Sequence, residues 1–113
     1  MDITPYLEPK IAPRALFDAL PERSARVRFL VPEGNDWRSV TNGAFARQVR
    51  HAALFLAEPG PAGLKSGDRA AIFAGNRVEW MSAALAIQSA GGVMVPIYPA
   101  STAAQICSAR VWR

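Results

Sequence analysis

Few side chains in this sequence have the type and spacing that chemistry needs. His51 is the single histidine and Cys107 the single cysteine, and the lysines are Lys10 and Lys65. His51 lies at the border of a helical apolar stripe with no second His, Asp or Cys beside it in sequence, the pattern of a solvated helix residue rather than a general base. One cysteine makes neither an internal disulfide nor a Cys/His metal framework, and fits a reducing compartment. Neither lysine follows a glycine-rich turn, and no GxxxxGK[ST] or GxGxxG run occurs, so the phosphate cradles that such runs build are missing. No residue is therefore assigned a catalytic, cofactor-binding or metal-ligating role. Tyr98 follows an apolar run at the edge where open α/β sheets place ligands, so it either shapes a pocket wall or fixes the chain's exit between Pro96 and Pro99, the second being favoured.

The elements that would position such groups are legible in the patterning. The 113 residues suffice for one domain, and half are hydrophobic. Pro13 to Leu20 predicts a short helix. Val27, Phe29 and Val31 alternate with Arg28 and Leu30, and a turn over Pro32 to Asp36 leads to Trp37–Val40, so a β-hairpin is expected. Thr41 caps a helix with Phe45, Val49, Ala52, Ala53 and Leu56 on one stripe. After a Pro/Gly loop, Arg69 to Ala74 reads as a buried strand. Asn76 with Glu79 three residues on reads as a capping box for a helix running to about Ala90, on which Trp80 packs against the sheet with most of its ring buried. Gly91-Gly92 stops that helix, Val93 to Ile97 is a second buried strand, and Thr102 with Gln105 repeats the capping pattern. Strand, helix, strand predicts a βαβ unit with parallel strands, so the fold class is α/β.

Thirteen Lys and Arg against nine Asp and Glu give a net charge of +4. The basic residues are scattered along the sequence rather than clustered, which weighs against nucleic acid as a partner. Met81 to Ala109 carries no charge, yet Gln88, Gly91-Gly92, Pro96 and Pro99 interrupt it, so no transmembrane segment is expected. Without an apolar leader at the amino terminus, a cytoplasmic location is the expectation.

The order Trp37, Thr41, Gly67-Asp68-Arg69, Ala71-Ile72, Asn76, Glu79-Trp80, Gly91-Gly92-Val93 and Val95-Pro96-Ile97-Tyr98-Pro99 resembles the amino-terminal region of AMP-dependent synthetases and ligases. The run Val95 to Thr102 followed by Gln105-Ile106 is most similar to long-chain fatty acid–CoA ligases, an acyl-CoA synthetase group. The resemblance covers roughly residues 12 to 106. It implies the beginning of the large domain of an acyl-adenylate-forming enzyme, with residues 1–12 a lead and 13–113 a truncated part of the synthetase domain. It also implies that Gly67, Asp68, Asn76, Glu79, Trp80, Gly91, Gly92, Pro96, Tyr98 and Pro99 are structural signature positions.

Members of that family activate a carboxylate with ATP and Mg, then pass the acyl group to coenzyme A. ATP, Mg, CoA and fatty acid are thus expected for a full-length parent and no cofactor for these residues, whose phosphate loop and late lysine are missing. Asn42, Gly43 and Ala44 depart from the family pattern after Thr41, which predicts a weaker helix start. The pattern dissolves after Ile106, as a frameshift or truncation would make it do. Exposed apolar surface, and with it self-association, is expected, and a free-standing α/β interaction module is the alternative reading.

Overall fold

The computed structural model describes residues 1–7, 10–61 and 63–108. Two short helices begin the chain, α1 (Thr4–Leu7) and α2 (Ala12–Asp18), and a third, α3 (Leu20–Arg23), follows at once. The single helix expected over Pro13 to Leu20 is thus divided. Pro21 lies in the first turn of α3 and has no N–H to continue the ladder of α2, so the helix stops at Asp18 and restarts.

Strands β1 (Val27–Glu33) and β2 (Asp36–Thr41) form the antiparallel hairpin. Gly34, at φ +62, supplies the left-handed residue that its two-residue loop requires. Phe29 and Val31 turn inward, while an irregularity in register after Val27 leaves that valine exposed. The long helix α4 (Asn42–Ala57) starts where expected: Thr41 Oγ1 accepts the amide of Ala44 at 3.2 Å. Ala44 returns no side chain to the cap, so only half of a capping box is present.

Phe45 and Val49 are fully buried and hold the larger core with Leu16, Val40, Ala46 and Leu85. The rings of Phe29 and Phe45 meet edge to face, centroids 5.1 Å apart. Farther along the predicted stripe, Ala52, Ala53 and Leu56 are partly buried, while Leu54 and Phe55, which lie off it, are exposed.

The βαβ unit follows, with β3 (Arg69–Phe73), α5 (Val78–Ser89) and β4 (Val93–Ile97). β3 and β4 are parallel, Arg69 facing Val93 and Phe73 facing Ile97. Ile72, Ala84 and Ile87 form a second core cluster, against which Trp80, Ala70 and Met94 pack. Trp80 is only partly buried, less than its expected share, because the sheet beneath it has two strands among the described residues. The same narrowness leaves Phe73 and Val93 about half exposed, whereas both strands read as interior. The last helix, α6 (Ala103–Ser108), carries the reciprocal cap predicted for it: Thr102 N–H donates to Gln105 Oε1 at 2.8 Å, and Gln105 N–H to Thr102 Oγ1 at 3.3 Å. Of the tail in which the sequence pattern dissolves, 109–113 lies outside the described residues.

Two glycines lock the unit together. Gly67 and Gly91 both adopt φ +85, and the amide of Gly67 donates to the carbonyl of Gly91 at 2.9 Å. Gly91→Ala is expected to cost ~1–2 kcal/mol, since a Cβ is unfavourable in the left-handed region. Urea unfolding would show it as a lower midpoint, and an unchanged midpoint would contradict it.

Candidate functional site

The signature positions separate to the two ends of the parallel sheet. At its amino end, Gly67, Asp68, Gly91 and Gly92 form one knot. Asp68 accepts the Lys65 amide on Oδ2 at 2.8 Å, its own N–H donates to the Lys65 carbonyl, and its carbonyl accepts the Val93 amide at 2.7 Å. A Cβ on Gly92 would lie 3.1 Å from both Ile87 and Leu64 and 3.2 Å from the Asp68 carbonyl, so the strand approaches the helix closely only because that Cβ is missing. Every polar group named here is engaged by backbone.

The carboxyl end, where open α/β sheets place ligands, holds Asn76, Glu79 and Trp80 beyond β3 and Tyr98 and Pro99 beyond β4. The capping box expected of Asn76 and Glu79 does not form. The residue preceding α5 is Arg77, extended at φ −160° and ψ 164°, and no side chain caps the helix. Glu79 instead accepts from the Arg77 guanidinium at 2.9 Å, an exposed charge-assisted pair.

The Glu79 carboxyl is held below its ordinary range, first by its own backbone amide and then by Arg77. A carboxyl so depressed stabilises the fold above its unfolded pKa, and this contribution disappears as pH falls through the folded value. In an NMR titration, Arg77→Ala is expected to move Glu79 part of the way back up, the amide contribution remaining. An unmoved titration would contradict the pairing.

Two grooves open at this end. One, of about 410 Å³, runs between the hairpin and the start of α5 and is lined by Leu30, Pro32, Arg38, Asn76, Arg77 and Met81 among others. Its cations are compensated locally, Arg38 by Glu33 at 3.6 Å and Arg77 by Glu79. The other, about 180 Å³, lies between β4 and α6 and includes Pro96, Tyr98 and Ile106. Tyr98 is 74% exposed, and its carbonyl accepts the Ser101 amide at 2.9 Å, closing the turn out of the sheet. The tyrosine thus edges a shallow groove while its backbone directs the chain.

Neither groove has the donors that a nucleoside triphosphate and its metal require. Lys10 is taken up by Asp18 at 3.3 Å, and among the described residues no three His, Cys, Asp or Glu side chains gather as a metal would need. His51 and Cys107 are exposed, and neither lines a groove. These residues do not fit ATP, Mg or CoA, and no catalytic step can be written through them.

Comparison with known proteins identifies the family. A family model described as AMP-binding enzyme matches residues 16–109. Over 70 residues the chain is 43% identical to the long-chain-fatty-acid–CoA ligase FadD15 of Mycobacterium bovis and 41% identical to that of Mycobacterium tuberculosis. The matched stretch is 62% of this chain but only 11% of either relative. Among solved structures, ATP-bound MatB from Rhodopseudomonas palustris superposes with a TM-score of 0.66 at 26% identity, over 83% of this chain and 17% of that one. The Klebsiella oxytoca NpsA N-terminal subdomain gives 0.68 at 27%, over 88% and 24%. The fatty acyl-adenylate ligase from L. pneumophila, in complex with acyl adenylate and pyrophosphate, gives 0.71 over 85% and 16%; at 20% identity it supports the fold alone. No helix among the described residues is long and apolar enough to cross a membrane.

Proposed function

The chain belongs to the AMP-binding enzyme family, and from that premise we propose that it is the amino-terminal portion of an AMP-forming long-chain fatty acid–CoA ligase. The observation that carries the reading is the 43% identity to a long-chain-fatty-acid–CoA ligase across 70 residues. In the parent, a fatty carboxylate would displace pyrophosphate from ATP to give an acyl-adenylate, and the CoA thiol would then displace AMP. These residues contribute none of the reacting groups. Their part is architectural: a hairpin, a βαβ unit and two packed cores that support a site built by other sequence. By themselves they are inactive.

The same proposal divides the chain into a lead over residues 1–12 and a synthetase portion over 13–113, and locates it in the cytoplasm. It also includes self-association. The chain exposes 8530 Å², against roughly 6,100 Å² for a compact monomer of its mass. Part of the excess is the groove of about 430 Å³ between α4 and β3, where Phe55 and Phe73 stand open.

A chimera tests the reading. The matched 70-residue stretch of the Mycobacterium bovis ligase is replaced by that of this chain, and acyl-CoA formation is measured with long-chain acids. The chimera is expected to retain activity with the same chain-length preference. A folded but inactive chimera, or one that prefers short acids, would overturn it.

A further inference from the structure

Among the strands of the described residues, β3 alone keeps an edge fit for further pairing. In its ladder with β4 the Val93 amide donates to the Asp68 carbonyl, and Arg69 faces Val93 while Phe73 faces Ile97. The parallel pattern then has Ala70 and Ile72 turn their amides and carbonyls toward β4, so Ala71 and Phe73 direct theirs to the outer edge. On β4 the outward residues are Met94 and Pro96, and Pro96 has no N–H to offer. The hairpin strands are blunted in other ways, β1 by Pro32 and Glu33 and β2 by Asp36 and Arg38. β3 has a single charge, Arg69, at its first position.

The edge is also reachable. A groove of about 430 Å³ runs along it, with residues 70–73 on one wall and Ala52 and Phe55 of α4 on the other. Phe55 and Phe73 are each more than half exposed. Ala70 and Ile72 pack toward α5, which puts Arg69, Ala71 and Phe73 together on the opposite face of the sheet.

We propose that β3 is a dimerisation edge: a second copy of the 113-residue chain adds its own β3 antiparallel, making one four-stranded sheet about a two-fold axis at Ala71. This deepens the self-association proposed above and rests on it. A two-fold contact needs a surface complementary to itself, and this one is. With Ala71 opposite the partner's Ala71, the two alanines exchange both backbone hydrogen bonds, as a facing pair in an antiparallel ladder does. Arg69 then falls opposite the partner's Phe73, which sets a guanidinium beside an aromatic ring and keeps the two arginines apart. The area is sufficient as well. What the chain exposes beyond a compact monomer of its mass exceeds the roughly 800 Å² per partner of a standard interface.

Sedimentation equilibrium of the 113-residue chain gives the dimer constant, and three variants locate the contact. Ala71→Pro removes one outward N–H, the device that Pro96 already provides on β4, and leaves the β3–β4 ladder its bonds. Phe73→Lys sets a like charge opposite the partner's Arg69, and Phe73→Glu an opposite one. Circular dichroism checks that each variant folds. A dimer is expected, weakened about ten-fold or more by Ala71→Pro. Phe73→Lys is expected to dimerise about ten-fold more weakly than Phe73→Glu, although both have lost the ring, because the charge pair occurs twice in the dimer.

If Ala71→Pro does not fold, the comparison at Phe73 decides. Equal dimer constants for Phe73→Lys and Phe73→Glu, or a folded Ala71→Pro that dimerises as tightly as the parent chain, would overturn pairing through β3 while leaving self-association in place. A chain that stays monomeric at every concentration would overturn both, and would leave the groove to a partner of another sequence.

Discussion

Supplied with ATP, Mg and palmitate, residues 1–113 are expected to catalyse no ATP–pyrophosphate exchange above a heat-treated control. Adenylate formation moves negative charge onto the departing pyrophosphate, and enzymes lower that barrier with fixed donors and a metal aimed at the developing charge. This chain has two lysines, Lys10 and Lys65, and neither stands in a Gly/Ser/Thr-rich loop. Lys10 is paired with Asp18, and the grooves at the carboxyl end of the sheet have their arginines neutralised by Glu33 and Glu79. Positioning of two substrates can contribute ~7–11 kcal/mol to a rate, but only where both are held. The measurement is isotope exchange into ATP with a range of fatty acids, and signal above the control would refute the expectation.

The largest stability effect is expected at Phe45. Its side chain is fully buried, meets Phe29 edge to face at 5.1 Å and lies beneath the Arg28 guanidinium. Phe45→Ala removes a ring from the centre of the larger core and should cost ~3–5 kcal/mol. Against a total stability of roughly 5–15 kcal/mol for a domain, such a loss leaves little margin. Phe45→Leu keeps most of the volume and should cost about 1–2 kcal/mol. Urea denaturation of both variants gives the comparison, and equal losses would show that ring packing is not the cause.

Much of this architecture is legible before any coordinates. The hairpin, the capped helix α4 and the parallel strand pair follow from alternation, a cap and two short apolar runs, and β4 has the predicted ends, Val93 and Ile97. What fails is local competition among polar groups. Asn76 and Glu79 have capping-box spacing, and the reciprocal bonds that this spacing predicts do form at Thr102 and Gln105. At α5 the intervening Arg77 offers Glu79 a charged partner, which spacing alone does not weigh. Pro21 likewise divides a helix that the apolar pattern joins.

The degree of burial is hidden for a different reason. Val93 and Phe73 read as interior residues because their neighbours are apolar, and their exposure depends on how many strands flank them. The candidate site is the least legible part, since the groove beside Arg38 and Arg77 joins the hairpin to the start of α5, residues far apart in sequence.

Helix α5 belongs to both cores: Leu85 sits in the cluster around Phe45, while Ala84 and Ile87 sit with Ile72. The hairpin and the β3–β4 pair are separate sheets, and no ladder bond joins them. A pull that parts the two sheets is therefore resisted by side chains sliding along α5 and along α4, whose Leu56 packs on the second cluster, with individual atom pairs worth only ~0.1–0.2 kcal/mol. Mechanically the chain is two plates on a pair of axles, joined by ladder bonds within each plate and by side chains between them.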